Sequence, residues 1–127
     1  MSSLQDQIHQ IGKNARAASR ALARLDSKTK NAVLVAMADE LIVRLPDILE
    51  ANAADVAEAE KNGLTKASID RLRLNEKRVA DMADGIRQVA ALPDPVGEIL
   101  RDWTQPNGIQ LQKIRTPIGV IGIIYES

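Results

Sequence analysis

The chain has 127 residues, of which 45% are hydrophobic and 27% are charged, as in one ordinary soluble globular domain. Its 17 basic and 17 acidic residues balance to a net charge of zero, which gives no reason to expect nucleic acid or an anionic membrane as a partner. There is no cysteine, so a disulfide framework, a thiolate metal site and a cysteine nucleophile are excluded within these residues. The polar N-terminus and the lack of a long apolar run favour a cytoplasmic protein.

The first three quarters of the chain predict five helices. Apolar residues at spacings of three or four form one stripe along the first helix: Leu4, Ile8, Ile11, Ala15, Ala18, Leu22 and Leu25. Thr65 and Asn75 are expected to cap later helices through their side-chain oxygens, and Asn62-Gly63 is a helix stop. The five helices are expected at about residues 3–24, 27–45, 46–61, 66–74 and 76–92.

Two strands and an apolar run are predicted to follow the helices. Residues near 98–104 and 109–116 have strand character, and Gln105-Pro106-Asn107-Gly108 between them is a turn signal, so a β-hairpin is expected. The closing run from Gly119 to Tyr125 is apolar without alternation, which is typical of a strand covered on both faces in a parallel sheet. A parallel neighbour requires a crossover that this sequence does not include, so we interpret the chain as the start of a truncated doubly wound sheet.

Four stretches of the sequence form a recognisable pattern. They are Asn52-Ala53-Ala54-Asp55-Val56 leading to Gly63-Leu64, then Asp70-Arg71-Leu72, then Asp94-Pro95-Val96-Gly97, and finally Pro117-Ile118-Gly119-Val120-Ile121-Gly122-Ile123-Ile124-Tyr125-Glu126-Ser127. In this order and spacing they resemble the glutamate 5-phosphate reductases of the aldehyde dehydrogenase superfamily. The resemblance extends from about Ala15 to Ser127, and chains of that family run to several hundred residues.

The resemblance implies an α/β fold of the aldehyde dehydrogenase type for the complete enzyme, with three regions in this chain. Residues 1–97 would be the helical N-terminal part of the cofactor-binding domain, residues 98–117 a hairpin arm for oligomerisation, and residues 118–127 the first strand of the Rossmann-like sheet. The implied activity is the NADPH-dependent reduction of L-glutamate 5-phosphate to L-glutamate 5-semialdehyde and phosphate, in proline biosynthesis. The implied partners are further copies of the chain and glutamate 5-kinase.

The same resemblance places no catalytic residue in the chain. The family uses a cysteine thiolate that attacks the acyl phosphate and forms a thioester, and this sequence contains no cysteine. Tyr125, Glu126 and Ser127 stand at the carboxyl end of the predicted buried strand, where ligands of open α/β sheets bind, and the resemblance implies that they line the NADPH site. The chain alone is therefore expected to be inactive.

Other residues have a structural and a functional interpretation, and the structural one is favoured for most of them. His9 is the only histidine and is interpreted as a surface residue. Gly119 and Gly122 lack the third glycine and the strand–turn–helix context of a dinucleotide motif. Arg101, Lys113 and Arg115 are interpreted as solvated strand charges rather than a phosphate site, and Asp55, Glu58 and Glu60 as a wet helix face rather than a metal site. For Trp103, an interface anchor and core packing remain equally open.

Two rival functions stay open at this point. One is a stand-alone helical module that binds a partner through its hairpin, and the other is a piece of an aldehyde dehydrogenase that acts on a different acyl substrate. An exposed apolar strand at the end of a small natural protein would promote aggregation, which disfavours the first.

Overall fold

The computed structural model describes residues 3–124, which form five helices followed by one antiparallel β-hairpin. The helices are α1 (Leu4–Leu22), α2 (Ser27–Val43), α3 (Leu45–Lys61), α4 (Lys66–Leu72) and α5 (Glu76–Ala90), and the strands are β1 (Ile99–Thr104) and β2 (Gln110–Ile114). The helical part with a hairpin after it, predicted from the sequence, is confirmed. The described residues divide into two compact units, one formed by residues 27–92 and the other by the residues on either side of that range.

Helix starts follow the capping residues of the sequence. The side chain of Thr65 accepts a hydrogen bond from the Ser68 backbone N–H, and that of Asn75 accepts one from Arg78, so both predicted caps are confirmed. The helix α1 begins with a capping box that the sequence analysis missed. There Ser3 Oγ accepts from the Asp6 N–H at 3.1 Å, while the Ser3 N–H donates to Asp6 Oδ2 at 3.0 Å.

The helix α3 ends at the predicted Asn62-Gly63 stop. Gly63 has a φ of +74°, and the backbone N–H of Leu64 donates to the Ala59 carbonyl while that of Gly63 donates to Glu60. These two bonds satisfy carbonyls that the helix end would otherwise leave without partners, which is the Schellman arrangement. Glycine suits this position because a side chain would be strained at that φ.

The unit of residues 27–92 is held together mainly by α2 packed against α5. Ala38 on α2 and Val79 and Ala83 on α5 are fully buried, so the contact is made by small side chains. Arg87 on α5 donates to Asp39 on α2 and to Asp84, and these bonds raise the pKa of its guanidinium above the usual value, so it stays charged throughout the ordinary pH range.

Asn52 joins α3 to the segment between α4 and α5. Its side-chain amide donates to the Leu72 carbonyl at 2.9 Å, and its side-chain oxygen accepts from the Leu74 N–H at 2.7 Å. Asn52 is only 9% exposed. Its two bonds therefore give partners to a carbonyl at the end of α4 and to an N–H just after it, in a part of the structure that is shielded from water. Asn52 belongs to the family motif in the sequence, and this bridge is a physical reason for an asparagine there.

The other unit contains α1 and the hairpin and buries little apolar surface. The stripe predicted along α1 exists on one face of the helix, but it is not covered by other described residues. Leu4 is 74% exposed, Ile11 is 63% exposed, and no residue of α1 is buried. The sequence pattern therefore predicted the helix, but it did not predict which residues would cover its apolar face.

The strand predicted at residues 118–127 does not form within residues 118–124, which have no regular secondary structure. Gly119 adopts a φ of +98°, outside the strand region, and Ile118 and Ile123 are largely exposed. A strand requires hydrogen bonds from a neighbouring strand, and the described chain supplies none beside this segment. The first strand of a doubly wound sheet therefore stays a prediction for a longer protein.

Candidate functional site

The cofactor residues predicted from the sequence, Tyr125, Glu126 and Ser127, lie outside the described residues. Described residues that could contribute chemistry are scattered. His9 is exposed on α1, and within residues 3–124 no group of three histidine, aspartate or glutamate side chains could hold a metal ion. No helix among the described residues is both long enough and apolar enough to cross a membrane.

A groove of the helical unit lies along α3. It has a volume of about 570 Å³ and is lined by Leu49, Asn52, Ala53, Val56, Ala57, Glu60, Arg73, Leu74, Asn75 and Glu76. Several of its polar groups are engaged within the protein, because both polar atoms of Asn52 bond to backbone and Glu60 forms a 3.1 Å ion pair with Arg73. A ligand that bound through Asn52, Glu60 or Arg73 would have to replace these contacts.

The acidic residues of α3 behave as the predicted wet helix face. Glu58 lies 3.9 Å from Lys61 Nζ and accepts from the Asn62 side chain, and Glu60 pairs with Arg73. All of these side chains are exposed, so the pairs are worth little in stability and do not converge on one point.

The hairpin is the most strongly defined candidate for an interaction site. Residues Gln105 to Gly108 form its turn, with the Gly108 N–H donating to the Gln105 carbonyl and Gly108 at a φ of +86°. Asn107 does not have a positive φ, so Gly108 is the residue of this turn that adopts one. This is a type I turn followed by a left-handed glycine, which is a common hairpin connection.

One face of the hairpin carries Trp103 and its neighbours. Trp103 is paired with Leu111 across the strands, and both are half-buried. The Arg101 guanidinium lies 4.7 Å from the Trp103 ring centroid, in a cation–π contact. On the opposite face, the side-chain amide of Gln112 donates to the Asp102 carboxylate at 2.9 Å. Trp103 and Leu111 thus form a small half-buried cluster on this face of the hairpin, with Arg101 against the indole ring.

The basic residues of the hairpin have protein partners rather than a common focus. Arg101 contacts Trp103, and Arg115 forms a 2.7 Å ion pair with Glu98. Lys113 is in register with Arg101 on the paired strand. The structural interpretation of these charges from the sequence agrees with this arrangement, because two of the three cations are already engaged.

Comparison with known proteins gives a consistent result. The chain is 54% identical over 125 residues to a gamma-glutamyl phosphate reductase of Syntrophomonas wolfei, covering 98% of this chain and 30% of the relative. It is 58% identical over 115 residues to a protein of the same name from a Thermoanaerobacter species, covering 91% of this chain and 28% of the relative. No protein-family model matches the chain.

Solved structures give the same result for the fold. The chain superposes on a gamma-glutamyl phosphate reductase of Thermotoga maritima with a TM-score of 0.81 at 36% identity, covering 84% of this chain and 26% of that one. It superposes on the Saccharomyces cerevisiae protein of that name with a TM-score of 0.80 at 34% identity, covering 92% and 29%. The chain therefore spans about 30% of the length of the curated relatives it matches, in their N-terminal part.

Proposed function

Because the chain is homologous to the N-terminal part of gamma-glutamyl phosphate reductases, we propose that it forms that part of an NADPH-dependent reductase. The complete enzyme would convert L-glutamate 5-phosphate to L-glutamate 5-semialdehyde and phosphate, in the cytoplasm, as a step of proline biosynthesis. The observation that carries the proposal is identity of 54% across 98% of this chain, together with a matching fold. The enzyme would belong to the aldehyde dehydrogenase superfamily, as the sequence motifs indicate.

The proposed role of this chain is to provide scaffold rather than reacting groups. A thiol nucleophile is needed to form the thioester, and none of the 127 residues is a cysteine. NADPH, when bound, supplies the hydride that reduces the thioester. We propose that Tyr125, Glu126 and Ser127 line its site, since they follow the apolar run at the position where strands of open α/β sheets meet their ligands.

We propose further that the hairpin connects copies of the complete enzyme and that the enzyme associates with glutamate 5-kinase. The half-buried Trp103 and its contact with Arg101 support the first part, because aromatic and arginine side chains are enriched at interfaces. The second part rests on the family resemblance and on chemistry, since an acyl phosphate substrate hydrolyses readily and benefits from direct transfer.

A chimera tests the proposed function. Residues 1–127 of this chain would replace the corresponding part of the Syntrophomonas wolfei relative. The reaction would be assayed in reverse, as phosphate-dependent oxidation of glutamate semialdehyde with NADP⁺ as the hydride acceptor. We expect activity of the same order as that of the unmodified relative, and none from this chain alone. The control is a chimera with Asn52 replaced by leucine, which should fold poorly because two backbone groups lose their partner.

The outcomes separate the remaining alternatives. A folded chimera that cannot turn over glutamate semialdehyde, but oxidises another aldehyde, would identify a different aldehyde dehydrogenase. A folded chimera without any dehydrogenase activity would refute the proposal and favour a stand-alone interaction module. Turnover by the chain alone would contradict its role as scaffold.

A further inference from the structure

We propose that Asn107 is a site of spontaneous deamidation in the folded chain, and that the end of α3 protects Asn62 from the same reaction. These are the two asparagines of the sequence that precede a glycine. A following glycine favours the reaction, because a Cβ on the next residue would crowd the backbone nitrogen that attacks. The inference is independent of the proposed enzymatic function, since it concerns a reaction of the protein with itself and with water.

The reaction is an intramolecular substitution followed by hydrolysis. The backbone nitrogen of Gly108 attacks Cγ of Asn107, the bond from Cγ to Nδ2 breaks, and the side-chain NH2 leaves as ammonia with the proton that the Gly108 nitrogen loses. Water then opens the succinimide at one of its two carbonyl carbons. Opening at Cγ gives aspartate, whereas opening at the backbone carbonyl carbon gives isoaspartate, in which the chain runs through the side chain. Both products carry a carboxylate in place of a neutral amide.

The hydrogen bonding of the hairpin turn favours attack on Asn107. The Ile109 N–H donates to Asn107 Oδ1 at 3.2 Å. Because the donor lies two residues further along the chain, this bond folds the side chain back over Gly108, whose backbone nitrogen is the attacking atom. A donor on the carbonyl oxygen also withdraws electron density from Cγ and makes that carbon a better electrophile.

Exposure and the state of the attacking nitrogen do not distinguish the two sites. Both asparagines are exposed among the described residues. The Gly108 N–H donates to the Gln105 carbonyl at 2.9 Å, and the Gly63 N–H donates to the Glu60 carbonyl at 3.1 Å. Each attacking nitrogen therefore starts from a similar hydrogen bond, so the difference between the sites must come from the asparagine side chains and the backbone around them.

The end of α3 opposes the attack on Asn62. The side-chain NH2 of Asn62 donates to Glu58 Oε1 at 3.2 Å, so a carboxylate holds the leaving nitrogen and pushes electron density into the amide. The Asn62 backbone N–H donates to the Glu58 carbonyl at 2.9 Å, and the Leu64 N–H donates to the Ala59 carbonyl at 3.1 Å. The backbone is thus fixed on both sides of Gly63, and succinimide formation would require the last turn of the helix to open.

Rates of deamidation at the two sites test the inference. The 127-residue chain would be incubated at physiological temperature and pH and sampled for peptide mapping by mass spectrometry. Labelling by an isoaspartate-specific methyltransferase would measure the isoaspartate product. We expect Asn107 to react several-fold faster than Asn62 in the folded chain, and the two to react at comparable rates in denaturing guanidinium, where neither keeps its folded hydrogen bonds. The same order is expected in the chimera described above, because the bonds that set it are local.

Substitutions test the cause of the difference. Glu58→Ala removes the carboxylate that holds the Asn62 side chain, so it should raise the Asn62 rate several-fold and leave the Asn107 rate unchanged. Glu60→Ala is the matched control, since it removes a carboxylate of the same helix that pairs with Arg73 and should not change the Asn62 rate. Circular dichroism would verify that both variants retain their helix content. Asn107→Gln should abolish the reaction in the turn, because the longer side chain disfavours ring closure.

The remaining outcomes overturn the inference. Equal rates at the two sites of the folded chain, or a faster Asn62, would show that the turn does not favour the reaction. No reaction at Asn107 over the time in which the unfolded chain is fully deamidated would show that the turn is protected as well, and so would a slower Asn107 than Asn62 in the chimera. An unchanged Asn62 rate in the folded Glu58→Ala chain would refute the proposed protection.

Discussion

Two helices of similar pattern behave differently in this molecule. Both α1 and α5 begin at a side-chain cap and carry an apolar stripe at helical spacing. On α5 the stripe meets α2, and Val79 and Ala83 are completely buried. On α1 the large apolar residues of the stripe are exposed, and no residue of the helix is buried. Amphipathic spacing therefore establishes that a helix has a face to cover, but only a complementary neighbour covers it.

The contrast extends to the closing segment. Residues 118–124 have the apolar composition of a buried strand, yet Ile118 is 86% exposed. Unlike α1, which satisfies its own backbone hydrogen bonds, a strand cannot form without a neighbour. The helical residues 27–92 contain their own partners, and the apolar run does not.

The largest effect is expected where apolar surface is most exposed. Replacing Ile121 and Ile123 together with lysine should raise the soluble fraction of the chain markedly, since each exposed isoleucine contributes about 1.5–3 kcal/mol when it is buried by association. Ultracentrifugal sedimentation of the chain would measure the change. The matched control places lysine at the exposed helix positions Gln7 and Gln88, which adds the same charge without removing apolar surface. An unchanged soluble fraction in the isoleucine variant would show that the segment does not drive association.

A smaller effect is expected inside the helical unit. Asn52→Ala removes the bonds to the Leu72 carbonyl and the Leu74 N–H, and should lower the free energy of unfolding by about 2–3 kcal/mol. Urea unfolding followed by circular dichroism measures this difference. Asn62→Ala, at an exposed site, should change the same quantity by no more than about 0.5 kcal/mol. Equal effects at the two positions would mean that the two hydrogen bonds of Asn52 do not contribute to the free energy of unfolding.

The last prediction compares the same substitution on the two helices, at a buried position of α5 and at an exposed position of α1. Ala83→Leu should destabilise the chain by about 1–3 kcal/mol, because α2 leaves no space beside that position. Ala18→Leu, on the exposed stripe of α1, should be neutral within about 0.5 kcal/mol. Thermal unfolding of both variants would compare them. If Ala18→Leu were as costly as Ala83→Leu, the face of α1 would be covered in solution.

Much of the architecture could be predicted from short-range chemistry. The caps at Thr65 and Asn75, the stop at Gly63 and the turn at Gly108 depend on groups within a few residues of each other, so the sequence was sufficient for all four. The role of Asn52 could not be predicted, because its partners lie 20 and 22 residues away and become neighbours only through the packing of α3 against the α4–α5 link.

The sequence by itself determined the helices, the hairpin and the similarity to gamma-glutamyl phosphate reductases, since these follow from local hydrogen bonding, periodicity and motifs. Only the tertiary structure decided which apolar faces are buried and that the register of the hairpin shifts between Ile99 and Arg101. The reason is that local interactions select backbone conformation, whereas burial and edge pairing depend on the surfaces that distant segments present to one another.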